Sequence, residues 1–295
     1  MSIKKNASLT ICFLLSQTIP LHFLLADNPQ TTYCLKNDEA ALQRLALLSQ
    51  EDNPESQYFF QTLDIPNDAT ILSVGCGVGI FEQWLAQHVV PKGVVYAVDN
   101  DPIKVQYLQE IVEQHNIHNL IPLCDNAYTL HTCNTQRYDV VYARFLLEHL
   151  DDPNKAVACM VSLLKKGGYF IMDEETFSQN RTEPRHWAIE SVSQDLTKKA
   201  EAHLHTNYDI GASLENIARN HNLEVKKQRS FEQRSGASGL ELFISSIEES
   251  HDFWVNNNIM TLEEIDALVE GLQEVRRNAH QFIMVVKRNQ LCAIK

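Results

Sequence analysis

The sequence predicts an α/β protein built on a seven-stranded, mostly parallel sheet, with helices on both faces and a helical insertion between the last two strands. Three observations carry this. Short apolar runs of strand length alternate with amphipathic helical segments between residues 70 and 175, the pattern of right-handed βαβ units. The first run ends in Gly75-Cys76-Gly77-Val78-Gly79 and opens at once into a helix. Two further strand-like runs, 223–231 and 281–288, are separated by helical sequence.

The elements follow in order. Asn37 stands where a cap would start a helix over 38–49, with Leu42, Leu45, Leu47 and Leu48 near one face. Polar sequence with Pro54 follows, and Tyr58-Phe59-Phe60 and Leu63 lead to the first strand at 70–74. Residues 93–99 form the second strand. Asp101-Pro102 then opens a helix with proline at its first position, whose apolar face is Ile103, Tyr107, Leu108, Ile111 and Val112. The third strand, 120–123, ends at Cys124-Asp125, and the fourth spans 137–143.

Asp152-Pro153 caps a helix carried by Ala156, Val157, Met160, Val161 and Leu164, which Gly167-Gly168 should stop. The fifth strand, 169–172, delivers Asp173-Glu174-Glu175 at its carboxyl end. Beyond it, 183–205 is polar and partly helical, and 207–220 reads as a helix. Helices at 240–254 and 261–277 form the insertion. The second carries a capping box in Thr261 and Glu264, and Leu262, Ile265, Leu268, Val269 and Leu272 share one face. No repeat or low-complexity linker divides the chain, so residues 27–295 read as one domain, its core motifs at 70–175 and its closing strands and insertion at 207–290.

Composition excludes some functions. The formal net charge of −13 argues against an electrostatic grip on nucleic acid. The seven cysteines form no Cys-x-x-Cys pair and no His/Cys cluster of zinc-like spacing, so no metal is expected. At the start, Lys4 and Lys5 precede an apolar stretch over 7–26, and acidic sequence begins at Asp27. This reads as a signal-peptide-like segment over residues 1–26, with Leu24-Leu25-Ala26 as its cleavage site. A retained anchor or a helix packed on the domain are the alternatives. Gln17, Pro20 and His22 interrupt the run and weaken the anchor reading. The first two readings have the segment engage the membrane or the export machinery.

The glycine turn marks a ligand site. Glycines at 75, 77 and 79 clear one side of the turn of Cβ atoms, so backbone can approach a ligand closely. The helix behind it aims unpaired N–H groups into the same crevice. A dinucleotide fingerprint would require glycine at 80, where the chain has Ile80, which disfavours a nicotinamide-dependent oxidoreductase. Asp99 ends the second strand, at a fitting distance for a carboxylate that accepts from both hydroxyls of a ribose.

Taken together, the stretches 74–86, 98–101, 124–126, 138–153 and 164–173 resemble, in order, the motifs of the class I S-adenosylmethionine-dependent methyltransferases. The segment from Tyr33 and the C-terminal strand pair look like the small-molecule branch. The resemblance implies a Rossmann-like fold, S-adenosylmethionine as cofactor, and methyl transfer by in-line displacement to a small-molecule acceptor. It places Gly75, Cys76, Gly77 and Gly79 against the cofactor and Asp99 and Asn100 at its ribose. It places Asp125 on the adenine amino group, with the backbone N–H of Asn126 on a ring nitrogen. Residues 142–150, with Arg144, would line the methionine portion and the methyl group.

No Asn-Pro-Pro-Tyr or Asp-Pro-Pro-Tyr follows the fourth strand, so the branches that methylate amino groups of DNA, RNA and glutamine are not supported. The family usually carries Asp or Glu two residues before the first glycine. This chain has Ser73, which can accept a hydrogen bond but brings no charge. A base is needed only for a hydroxyl or a protonated nitrogen acceptor; the candidates are Glu148, His149, Asp173 and Glu174. His186, Trp187, Phe253 and Trp254 are candidates to line the acceptor pocket from the insertion side. A second reading is a non-catalytic binding module of the same fold, favoured by Ser73 and the export-like start. That start suggests export or membrane association, whereas the cofactor suggests a cytoplasm, bacterial or host.

Overall fold

A computed structural model of the chain describes residues 39–295. The signal-like segment 1–26, the Asn37 cap and the upstream segment at Tyr33 lie outside the described residues. Five strands are parallel: β1 (Thr70–Val74), β2 (Val94–Asp99), β3 (Leu120–Cys124), β4 (Tyr138–Arg144) and β5 (Leu164–Glu175). Their spatial order is β3-β2-β1-β4-β5. The chain winds outward from β1 through β2 to β3 and then returns to β4 on the other side. The order therefore reverses between β1 and β4, which opens a crevice at their carboxyl ends.

β8 (Ile283–Ile294) runs antiparallel between β5 and β7 (Glu224–Ser235). An eighth strand, β6 (Arg181–Glu183), pairs with Ile283, Met284 and Val285 of β8 on the side where β5 pairs farther along. The sheet thus has eight strands where the sequence predicts seven. Three residues, two of them charged, are too few to display a two-residue periodicity, so β6 left no signal.

Helices cover both faces. α1 (Glu39–Gln61), α2 (Ile80–Trp84, widening into a π-turn at Leu85–Val89) and α3 (Pro102–Gln114) accompany the first strands. α1 passes straight through Pro54 and ends 12 residues beyond the predicted end at Ser49. Burial of Phe59 and Phe60, at 1% and 2% exposure, offsets the broken backbone hydrogen bond. α4 (Pro153–Ser162) starts on the Asp152 carboxylate, which accepts from Lys155 N–H at 3.0 Å.

The alternating pleat of the strands splits the core in two. Ile71, Val95, Val140 and Ile171 pack with Phe59, Phe81, Leu85 and Leu108 on one face. Leu72, Val74, Val141 and Phe170 pack with Val157, Met160, Leu214 and Ile217 on the other. Leu214 and Ile217 belong to α7 (Leu214–Asn220). The insertion has its own core. It joins α5 (Trp187–Glu190), a following π-turn and α6 (Thr197–Leu204) to α8 (Ala237–Glu249), α9 (His251–Asn256) and α10 (Leu262–Arg277). The predicted capping box of α10 forms, with Thr261 and Glu264 bonded reciprocally. Among the described residues no helix is long and apolar enough to cross a membrane.

Candidate active site

The glycine turn closes β1 at the crevice. Gly75, Gly77 and Gly79 adopt φ of 76°, 57° and 71°, the left-handed region. Gly75 and Cys76 both donate their N–H to Val98 O, at 2.8 and 2.9 Å, which pins the turn to the end of β2. A Cβ on Gly79 would sit 2.4 Å from buried Leu108, so this glycine serves packing. A Cβ on Gly77 would meet no atom within 4 Å. Open space at that one position is what a backbone cradle for a ligand requires, and the residues present fit the cofactor the motifs imply. Burial, Glu82 and Asp99 all hold the Cys76 thiol protonated, well above its ordinary value, so Cys76 contributes backbone rather than a nucleophile.

Asp99 stands where the sequence predicts it, at the end of β2. Its Oδ2 accepts from Gly77 N–H at 2.8 Å and its Oδ1 from Asp101 N–H at 3.0 Å. These bonds fix the carboxylate and leave each oxygen a further lone pair. Asn100 beside it is exposed. Asp125 is turned toward its own loop. Its oxygens accept from Asn126 N–H at 2.7 Å and from the N–H and hydroxyl of Thr132, both at 2.6 Å. Partial burial pushes its carboxyl up, but these donors outweigh it and hold it below the usual value. The Asn126 N–H predicted to meet a ring nitrogen is thus bonded to Asp125.

At the end of β4 the backbone turns sharply. Phe145 has φ 48°, a strained conformation for a bulky residue, while its N–H donates to Asp173 O at 3.0 Å. Leu146 then lies 3.0 Å from where a Cβ of Gly75 would stand, so this turn forms the opposite wall of the cradle. Arg144 projects beside it. Its guanidinium sits 4.6 Å from the Phe81 ring centroid and donates to Asn53 Oδ1 at 2.9 Å and Ser56 Oγ at 3.2 Å. Arg144 makes no ion pair among the described residues.

Glu148 and His149 form the next turn. Glu148 is buried, its Oε2 finds no hydrogen-bond partner, and its Oε1 lies 3.4 Å from His149 Nε2. Burial, then repulsion by Glu174 and Glu175, pushes the Glu148 carboxyl well above its ordinary value. Burial pushes His149 down to about 4, so its imidazole is neutral at neutral pH, and the Glu148 carboxyl beside it is shifted toward its protonated form. The His149 side chain keeps 24% of its surface exposed, and its ring meets Tyr208 edge-on at 5.8 Å.

Glu174 accepts from Leu146 and Leu147 N–H at 3.1 and 3.0 Å, capping that turn from β5, and its Oε2 is buried without a partner. Burial raises it to about 8.

Asp173 has a different setting from that of a base. It is 1% exposed, and its oxygens accept from Arg288, Ser56 and Gln290 at 2.7 to 2.9 Å. Four such contacts, three on Oδ2 and one on Oδ1, tie it to structure. The predicted aromatic lining also differs. Trp254 is buried and Phe253 half-buried in the insertion core, and His186 caps α5 through Ala188 N–H. Trp187 is 54% exposed and packs over Gly271. Asn53, Ser56, Glu82, Arg288 and Gln290 join the site unpredicted. Polar residues inside the last strand were the one signal for the final two.

The crevice at the strand-order reversal, the glycine turn and the carboxylate of Asp99 come together at the carboxyl ends of the strands of a Rossmann-like sheet. The methyltransferase domain family matches residues 38–228, and the chain belongs to that family of S-adenosylmethionine-dependent enzymes. The chain is 29% identical over 144 residues to a ubiquinone biosynthesis O-methyltransferase of Serratia proteamaculans, covering 45% of this chain and 51% of that protein. The protein of the same name from Coxiella burnetii is 32% identical over 98 residues, 33% of this chain and 40% of that one. The chain therefore spans about half the length, or less, of these curated relatives.

Among solved structures, a geranyl diphosphate methyltransferase in complex with S-adenosylmethionine shares the fold, with a TM-score of 0.52 and 12% identity over 92% of this chain and 94% of that one. The [4+2]-cyclase SpnF does too, with a TM-score of 0.55 and 13% identity over 83% of this chain and 82% of that one. At such identities the likeness is one of fold.

Proposed function

We propose that the protein transfers the methyl group of S-adenosylmethionine to a hydroxyl of a small molecule held beyond the ends of β4 and β5. The observation that carries this is the neutral imidazole of His149, beside the buried Glu148 carboxyl, one turn from the cradle. The cofactor, when bound, supplies an already activated methyl group. The protein's own work is then to align an oxygen with it and remove a proton.

His149, neutral above about pH 4 and partly exposed, is the group placed to take up that proton. A cationic imidazole would in turn favour the ionised form of Glu148 beside it, which stabilises the protonated state. Arg144 and the backbone of Gly75 and Gly77 hold the methionine portion, and Asp99 holds the ribose. Similarity to enzymes named O-methyltransferases supports a hydroxyl as acceptor.

A panel of phenols, aliphatic alcohols, amines and thiols, assayed with methyl-labelled cofactor, tests the reading. Label should reach a hydroxyl compound, and His149→Ala should lower kcat about a hundredfold, within the usual range for a general base, with the affinity for S-adenosylhomocysteine unchanged. Transfer only to amines or thiols, or an unaltered kcat in the variant, would overturn it. For the apolar segment 7–26 the reading remains export or membrane engagement. Fractionation of tagged full-length protein checks it, since uncleaved protein confined to the cytoplasm would refute it.

A further inference from the structure

Ser73 stands where the family pattern has an acid, and the structure shows what lies against it. Glu82, in the first turn of α2, bends back under the glycine turn and accepts from the Ser73 hydroxyl at 2.7 Å. Its residue is 4% exposed. Among the described residues no lysine, arginine or histidine comes within ion-pair distance of it. A buried carboxylate with no cation beside it is costly, and the fold could have avoided it with a glutamine.

The surroundings say what would offset the cost. Burial raises the Glu82 carboxyl, Arg144 and the Ser73 hydroxyl lower it, and Asp99 raises it again. Arg144, likewise without an ion-pair partner, stacks on Phe81, the residue before Glu82. An acidic and a basic side chain, neither in an ion pair among the described residues, thus lie on the helix that follows the glycine turn and at the end of β4. A ligand carrying an α-ammonium and an α-carboxylate complements both.

We propose that Glu82, positioned by Ser73, supplies the carboxylate that binds the α-ammonium of S-adenosylmethionine, in place of the acid missing at position 73. The acidic group has moved from the strand to the following helix, and Ser73 has become its anchor. This rests on the assignment of the glycine turn as the cofactor cradle, so the test must separate the two.

Calorimetric titration compares S-adenosylhomocysteine, which has the ammonium, with 5′-methylthioadenosine, which shares the nucleoside and lacks the amino acid. Glu82→Gln should weaken the first about tenfold or more, as loss of a charged hydrogen bond does, and leave the second within twofold. Adding Ser73→Asp to that variant should restore affinity for S-adenosylhomocysteine. Unchanged S-adenosylhomocysteine affinity in Glu82→Gln, or an equal loss for both compounds, overturns the role of Glu82 alone. Wild-type protein that binds neither compound overturns the cradle assignment itself. Retained methylthioadenosine affinity also reports that the variant is folded.

Discussion

Nη2 of Arg288 lies 2.7 Å from both carboxylate oxygens of Asp173, and Arg288 is fully buried. Its Nη1 reaches Asp52 Oδ1 at 3.1 Å and Gln233 Oε1 at 2.9 Å. Asp173 and Asp52 hold the guanidinium charged against the cost of burial. One side chain from β8 therefore binds β5, β7 and α1 together beneath the crevice. Asn53 and Ser56, which orient Arg144, depend on this clamp for their place.

Breaking the pair should cost far more than it contributes net. Arg288→Met leaves Asp173 and Asp52 buried without a cation, and a loss of about 3–5 kcal/mol is expected in urea denaturation. Replacing both Arg288 and Asp173 by apolar residues should recover part of that loss, because Asp52 is then the one carboxylate left without this cation.

Gly77 and Gly79 should respond differently to alanine. Gly79→Ala combines a left-handed backbone with a contact of 2.4 Å on buried Leu108, so stability should fall by about 2 kcal/mol or more. Gly77→Ala meets open space and should cost about 1 kcal/mol of stability. Its methyl group points into the cradle, so S-adenosylhomocysteine affinity should drop more than tenfold. Thermal melts and titration on both variants check the contrast.

Asp99→Ala removes the carboxylate proposed to accept from the ribose hydroxyls and frees the Gly77 N–H it holds at 2.8 Å. Loss of two charge-assisted bonds should weaken S-adenosylhomocysteine about a hundredfold or more. Retained affinity in calorimetry would refute the ribose assignment.

Stability should fall as pH rises from the ordinary carboxyl range through 7 and 8. Burial raises Glu175 to about 7 and Glu174 to about 8 in the folded chain, whereas the unfolded chain releases both protons near about 4.3. The native state thus holds extra protons over that window. Their contribution is full below the unfolded value and lost once pH passes the folded ones. Urea midpoints measured from pH 5 to 9 should show the decline, and the Glu174→Gln, Glu175→Gln double variant should flatten it.

The parallel strands and the glycine cradle were legible because local chemistry makes them. Apolar runs between Gly, Asp-Pro and Asn punctuation, with glycines at 75, 77 and 79, leave little choice of backbone. Asp99 was legible because it follows a strand end at a set distance from that turn. The Arg288 contact of Asp173 was not legible, because a carboxylate at a strand end looks alike whether it meets substrate or a buried arginine. Glu82 carried no distinguishing signal, because the helix dipole favours an acid in the first turn of any helix. His186, Trp187, Phe253 and Trp254 were legible as aromatic, but the membership of Phe253 and Trp254 in a separate insertion core was not.

By itself, then, the sequence determined the alternation of parallel strands with helices and the glycine turn, which follow from periodicity and turn chemistry within short windows, and its resemblance to a known family implied the class of cofactor. Only the tertiary structure decided which polar residues meet at the crevice. Arg288 lies 115 positions from Asp173 and 236 from Asp52, and no local pattern encodes contacts over such distances. The need to satisfy each buried charge selects those partners, and that need arises only when the strands and α1 have closed over them.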